Sequence, residues 1–204
     1  MNSTVIHLLR HGETEGGPRY RGSTDDALTP HGWAQMWAAV GEQDWDRLVA
    51  SPLARCAAFA RALAERRGIP LEIDARLREM HFGAWEGRTA VEIMAQDADA
   101  LTRFWQDPAA YPPPDGEPLS AFQARVLEAW REIVRASAGQ RVLLVSHGGP
   151  IRAVLCEIRQ HPIERLLELE VAHAALLAVR IDGGELVMAG RFSSPISYHP
   201  SHKT

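Results

Sequence analysis

Val5-Ile6-His7-Leu8-Leu9-Arg10-His11-Gly12-Glu13-Thr14 reads as a short buried strand that delivers an arginine and a histidine to its carboxyl end. In an open α/β sheet that end is where ligands bind. Gly12 lets the backbone turn sharply or approach a bound group closely. A fixed guanidinium charge beside an imidazole that can serve as nucleophile, acid or base points to chemistry on an anion.

Two further segments repeat the design. Leu48-Val49-Ala50-Ser51-Pro52-Leu53-Ala54-Arg55 predicts a strand over residues 47–50, Ser51 as N-cap, Pro52 at the first helical position and Arg55 in the first turn. Leu143-Leu144-Val145-Ser146-His147-Gly148-Gly149-Pro150 ends a continuous apolar strand, the pattern of a sheet covered on both faces, and sets His147 just before a helix opened by Pro150. If the three strands run parallel, Arg10, His11, Arg55 and His147 converge on one edge. Helix N-termini there add free N–H groups and a positive dipole end, both of which favour phosphate. Two arginines and two histidines crowded together are costly without an anion, and a phosphoryl group matches the guanidinium forks. Leu77-Arg78-Glu79-Met80-His81-Phe82-Gly83-Ala84-Trp85-Glu86-Gly87 adds a carboxyl group, Glu79, in a loop. A carboxyl beside a phosphate and under an apolar lid suits proton donation to a leaving oxygen.

Between these segments strands and helices alternate, which predicts an α/β three-layer sandwich with a mostly parallel central sheet flanked by helices. Residues 15–29 form a long loop, and Pro30 opens a helix carrying Trp33, Met36, Trp37 and Val40. A second helix runs through Cys56, Phe59, Ala60 and Leu63 to Gly68, followed by a small strand at 71–73. Two short helices are expected at 91–94 and 101–105, then a rigid connector at 111–118 and a strong amphipathic helix through Phe122, Val126, Leu127, Trp130 and Ile133. Residues 163–169 read as helical, and 175–181 with 185–188 as a β-hairpin around Asp182-Gly183-Gly184. The 204 residues are read as one domain over 1–204, with about 83–120 inserted as a small helical cap.

A net charge of −4, without a basic run, argues against nucleic-acid partners, so an anionic substrate must be drawn by a local arginine cluster. Lys203 is the sole lysine. Cys56 and Cys156 sit in apolar helical patterns without metal-ligand spacing and read as reduced core thiols. No apolar run approaches membrane-spanning length and the N-terminus lacks a secretory pattern, so the cytoplasm is the expected compartment. The tail Tyr198-His199-Pro200-Ser201-His202 reads as a frayed terminus rather than a metal site.

Leu9-Arg10-His11-Gly12-Glu13-Thr14, Ser51-Pro52-Leu53-Ala54-Arg55-Cys56, the Glu79…Phe82-Gly83…Glu86-Gly87 segment and Ser146-His147-Gly148-Gly149 together resemble the histidine phosphatase superfamily, the phosphoglycerate-mutase-like group. The resemblance implies that His11 is the nucleophile and forms a phosphohistidine. It implies that Arg10, Arg55 and His147 hold the phosphate and that Glu79 protonates the leaving alcohol, with no metal or other cofactor. The partner it implies is a small phosphomonoester. Arg21, Gly22 and Gly148 are further substrate-binding candidates; the alternative for Arg21 is a solvated loop charge.

Cofactor-dependent mutases of the group usually carry an asparagine shortly after Arg-His-Gly and a basic cap. Gly16-Gly17-Pro18 and the lysine-free cap favour a phosphatase, with phosphoglycerate-mutase-type transfer or a non-catalytic phosphate-binding module as the alternatives. Phe82…Thr89, Phe104-Trp105-Gln106-Asp107-Pro108, Pro114-Asp115-Gly116-Glu117 and Phe122…Arg125-Val126 resemble the α-ribazole-phosphate phosphatase branch, which acts in building the cobalamin lower ligand. Pro118 departs from the Ser or Thr common after Gly-Glu there. Trp85, Phe104 and Trp105 are read either as cap core or as a stacking platform for an aromatic base.

Overall fold

The computed structural model describes residues 3–182 and 185–189. Its centre is a sheet of six strands in the order β3-β2-β4-β1-β5-β6. These are β1 (Thr4–Arg10), β2 (Arg47–Ala50), β3 (Leu71–Ile73), β4 (Arg141–Ser146), β5 (Leu176–Asp182) and β6 (Glu185–Ala189). The first four in space are parallel, while β5 runs antiparallel to β1 and β6 antiparallel to β5. The mostly parallel α/β sandwich and the closing hairpin are therefore as expected. Gly183 and Gly184, at the predicted turn, and the tail at 198–202 lie outside the described residues.

Side chains alternate between two cores, as period-two strands buried on both faces require. Ile6, Leu8, Val49, Val142 and Leu144 enter one cluster. Leu9, Leu48, Ala50, Leu143 and Val145 enter the other. The second core is closed by α1 (Pro30–Val40) and α2 (Ala54–Arg67), through Met36, Val40, Phe59 and Leu63. The first is closed by α4 (Leu119–Ala136) and α5 (Gly148–Arg159), through Phe122, Val126, Trp130, Ile151 and Val154. Spacings of three and four residues place each of these sets on one helix face.

Three local readings change. Helix α2 begins at Ala54, not Pro52, and its N-cap Leu53 has no side-chain bond. Ser51 and Pro52 lie in the turn ahead of it, where the Ser51 hydroxyl accepts from Leu53 N–H at 3.4 Å and is bonded more closely by His147. The two short helices of the cap are joined as α3 (Ala90–Gln106), broken at Asp97, whose backbone is non-helical (φ −154°, ψ 85°). The Asp97 carboxylate accepts from Ala100 N–H and so caps the second half as a fresh N-terminus. The segment Ile163–Glu168 is a 3₁₀ turn rather than an α-helix.

The register decides where the chemistry goes. Arg10 pairs with Ser146, and Leu9 and Ala50 both pair with Val145. The carboxyl ends of β1, β2 and β4 therefore stop at one level, and His11, Ser51 and His147 leave the sheet side by side.

Candidate active site

At that edge His11 is buried, and its Nδ1 lies 2.8 Å from the Gly12 carbonyl. A carbonyl only accepts, so Nδ1 carries the proton and Nε2 keeps its lone pair. Burial holds the imidazolium pKa well below its usual 6.5; the Gly12 bond opposes this and Arg55 and Arg10 reinforce it. His11 is thus a neutral imidazole with one defined basic nitrogen.

His147 stands next to it, with ring centroids 5.2 Å apart in an edge-on arrangement. Arg55 Nε donates to His147 Nδ1 at 3.1 Å, so Nε2 bears the proton and donates to Ser51 Oγ at 2.7 Å. Burial again pushes the pKa well down, with Arg55 adding to it. The remaining Arg55 nitrogens donate to backbone carbonyls of the long loop, at Thr24 (2.8 Å), Gly22 (3.0 Å) and Arg21 (3.2 Å). Arg55 and His147 have no exposed surface, and they back the site from behind His11 rather than lining its cavity.

The cavity itself, about 810 Å³, is lined by Arg10, His11, Tyr20, Glu79, Arg152 and His173, among others. Arg10 gives one N–H to the Val171 carbonyl, while its buried Nε has no partner. Its pKa is pushed down to about 10, by burial first and then by Arg152. A buried guanidinium N–H without an acceptor is costly, and an anion oxygen would satisfy it.

Glu79 is held by the N–H groups of Met80 (3.0 Å) and Gly149 (3.1 Å). Gly149 is glycine for a steric reason: a Cβ there would lie 2.1 Å from Glu79 Oε1. Behind Glu79, Arg125 donates to the carbonyls of Arg76, Arg78 and Glu79 and is itself gripped by both carboxylate oxygens of Glu117, each at 2.7 Å. The Pro114–Glu117 and Arg125 segments singled out in the sequence therefore meet as a clamp on the Glu79 strand of loop.

The three secondary candidates fare differently. Gly148 opens α5, and a Cβ on it would stand 3.1 Å from Arg152 and 3.5 Å from Arg10 Nε, so it keeps the space between two guanidinium groups clear. Arg21 lines the cavity, but its guanidinium is engaged by Asp26 and by the carbonyls of Glu15 and Gly17. Gly22 does not offer its backbone to a ligand. Its N–H is given to Glu86, its carbonyl accepts from Arg55, and Met80 O lies 1.9 Å from where a Cβ would sit.

Four groups escaped the sequence reading. His173 lies beside His11, with centroids 5.6 Å apart, because β5 pairs with β1 and the turn before it folds over the edge. Arg152 is a half-buried charge on the largely apolar helix α5, a pattern visible in the sequence but not interpreted. Glu86 collects the N–H groups of Gly22, Ser23, Thr24 and Phe82 and thereby fixes the loop carrying Arg21. Ser51 accepts from His147. Of the cap aromatics, Trp85 and Phe104 are core, packed edge-on at 5.3 Å, as one of the two readings expected. Cys56 and Cys156 are free and buried; burial raises both thiols, Cys156 to about 11. Among the described residues no cluster of three or more His, Cys, Asp or Glu could hold a metal ion, and no helix is long and apolar enough to cross a membrane.

Fold and edge together put the chain in the class of α/β proteins that gather cationic and imidazole groups at the carboxyl ends of parallel strands. The sequence profile of the Histidine phosphatase superfamily (branch 1) matches residues 6–192, and the chain belongs to that superfamily. Adenosylcobalamin/alpha-ribazole phosphatase of Salmonella typhimurium is 30% identical over 184 residues, covering 88% of this chain and 91% of that protein. Glucosyl-3-phosphoglycerate phosphatase of Mycolicibacterium vanbaalenii is 35% identical over 169 residues, covering 77% and 75%. Among solved structures, Bacillus stearothermophilus YhfR superposes with a TM-score of 0.85 at 31% identity, covering 95% of this chain and 98% of that one. The chain is an enzyme of the phosphatase class.

Proposed function

We propose that the protein hydrolyses a small phosphomonoester through a phosphohistidine on His11. The observation that carries this is the His11 ring: neutral, with Nδ1–H tied to Gly12, it points to Nε2 as the nucleophile beside the unpartnered Arg10 Nε. In the first step Nε2 forms a bond to phosphorus, the ester P–O bond breaks, and Glu79 passes a proton to the departing alkoxide. In the second a water gives its proton back to Glu79 and its oxygen attacks phosphorus, the P–N bond breaks, and phosphate leaves. Splitting the transfer in two this way needs no metal. Arg10 and Arg152 supply fixed charge at the cavity wall, and Arg55 adds it from behind, where low dielectric makes it effective. His147, its ring centroid 5.2 Å from that of His11 and its nitrogens held by Arg55 and Ser51, supports the nucleophile from behind.

For the physiological ester, α-ribazole 5′-phosphate is our first choice, supported by the cap motifs and by the Salmonella relative. A hydrolysis panel in EDTA tests this, comparing α-ribazole 5′-phosphate, glucosyl-3-phosphoglycerate and 3-phosphoglycerate. Preference for the first supports the choice; preference for the second moves the protein to the other relative's substrate. Transfer between phosphoglycerates primed by a bisphosphate would replace hydrolysis with mutase chemistry.

Two predictions arise here. Gly149→Ala should drive Glu79 out of position, given the 2.1 Å approach. We expect kcat to fall about 10²-fold for alkyl phosphates, the lower range for lost general acid catalysis, and far less for p-nitrophenyl phosphate, whose leaving group needs no proton. Equal losses for both esters would separate Gly149 from the acid step.

The second concerns pH. His7, His11 and His147 are buried, and burial lowers their pKa values from 6.5. Below pH 6.5 the unfolded chain takes up protons that the folded chain refuses, so stability is complete above that value and falls as pH drops beneath it. Each group contributes up to about 1.4 kcal/mol per pH unit. The urea midpoint is expected to be clearly lower at pH 5.5 than at 7.5; an unchanged midpoint contradicts the burial account.

A further inference from the structure

Glu79 stands on a stretch of chain that belongs to no strand or helix, between the 3₁₀ turns Ala75–Leu77 and Gly83–Trp85. Its backbone has no ladder to hold it, so its carbonyls need partners from elsewhere. Side chains of two other elements supply them. Arg125 of α4 donates to the carbonyls of Arg76 (2.7 Å), Arg78 (2.8 Å) and Glu79 (3.0 Å). The buried Ser146 hydroxyl, at the end of β4, donates to that of Leu77 (2.9 Å). Every carbonyl from Arg76 to Glu79 is thus fixed from outside the segment.

Arg125 is fully spent in this task. Its Nε and one amino group meet the two oxygens of Glu117, each at 2.7 Å, and the remaining N–H groups go to the three carbonyls. All the donors of the planar fork therefore have an acceptor. The Arg125 and Glu117 side chains are 18% and 19% exposed, so water competes little for the pair. Phe122 packs against the guanidinium, its ring centroid 5.0 Å from Cζ. Glu117 is tied back to the same stretch, its own N–H donating to the His81 carbonyl at 2.8 Å. A guanidinium with no donor left over has nothing to offer a ligand; what it does is orient the chain it holds.

None of these bonds touches the carboxyl group of Glu79. The N–H groups of Met80 and Gly149 do. Those contacts change whenever Glu79 gives up or regains its proton, while the Arg125 bonds persist through both steps. A reacting group displaced by about 1 Å can cost about 10²-fold in rate. On the reading of Glu79 as the acid, we propose that Arg125, oriented by Glu117, is its positioning residue. It fixes the backbone from which the carboxyl group reaches the leaving oxygen, and thereby sets how well esters of poorly departing alcohols are cleaved relative to activated ones.

Two esters read this out: glycerol 2-phosphate, whose alcohol needs a proton to leave, and p-nitrophenyl phosphate, whose phenol does not. The quantity to compare is kcat/KM, which covers binding and departure of the alcohol but not the later attack of water. Arg125→Lys keeps the charge and loses the fork. Glu117→Gln keeps the shape, loses one acceptor, and is the milder change for folding. In both, kcat/KM for glycerol 2-phosphate should fall about 10- to 100-fold and that for p-nitrophenyl phosphate less than about threefold. The Kd of inorganic phosphate should stay within about twofold of wild type, since the phosphate site is not touched. Glu79→Gln should show the same dependence on the ester, and adding Arg125→Lys to it should cost nothing further on glycerol 2-phosphate, because residues that act as a unit are not additive. Equal losses for both esters, no loss for either, or a further loss in the Glu79→Gln background overturns the positioning role and leaves Glu79 as the acid. If Glu79→Gln itself lowers both esters equally, the acid assignment fails and the positioning role fails with it.

Discussion

Replacing His11 with alanine is expected to lower kcat for every phosphomonoester by about 10⁴- to 10⁶-fold, the range seen when a covalent nucleophile is removed from an otherwise intact site. The fold should survive. The side-chain hydrogen bond of His11 goes to the carbonyl of its own neighbour, so no long-range hydrogen bond is lost with it. The buried imidazole also disfavours its charged form, and its removal takes away one contributor to acid sensitivity. A thermal midpoint close to wild type, with phosphate release nearly abolished, is the expected pair of results. Full hydrolysis by the variant would rule out His11 as nucleophile.

Arg55→Ala should behave in the opposite way, with a large loss of stability as well as of activity. Its guanidinium joins the start of α2 to His147 and to the loop carbonyls of Arg21, Gly22 and Thr24, all from a position without exposed surface. Truncation leaves those carbonyls unpaired beside a cavity, which costs about 3–5 kcal/mol. For a chain of this length that is a drop of roughly 10 °C in Tm. Arg55→Lys should recover little, because a point charge cannot span acceptors placed for a planar fork. A wild-type melting curve for Arg55→Ala would show that the loop is held by other contacts, of which the Glu86 nest is the strongest.

The two variants mark what the sequence carries openly and what it hides. The runs at β1 and β4 are apolar on both faces, so their placement in a covered sheet was legible residue by residue, and the polar pairs at their ends were legible with them. Ser51-Pro52 looked like a helix start because Ser and Pro favour those positions. The hydroxyl is taken by His147, a contact 96 residues away in sequence that no local pattern announces. Asp97 shows local chemistry prevailing instead: its carboxylate caps a new helix start and divides α3.

His173 and Arg152 were hidden for a different reason. Each becomes part of the site only once β5 is known to lie against β1 and α5 is known to present that face to the cavity. Gly22 has its N–H given to Glu86 and its carbonyl bonded by Arg55, partners that lie 64 and 33 residues away and that no local pattern announces. Of the cap aromatics, Trp85 and Phe104 pack as core, and Phe104 and Trp105 both line a small cavity.

The central claim is a covalent phosphoryl group on His11, and rapid acid-free quenching followed by mass mapping of the peptide tests it most directly. Mixed with a good phosphomonoester in EDTA, the wild type should carry one phosphate on His11, labile to acid and stable to base, formed no slower than turnover. A phosphate found on another residue, or steady turnover with no phosphorylated peptide under conditions that preserve phosphohistidine, would contradict the account.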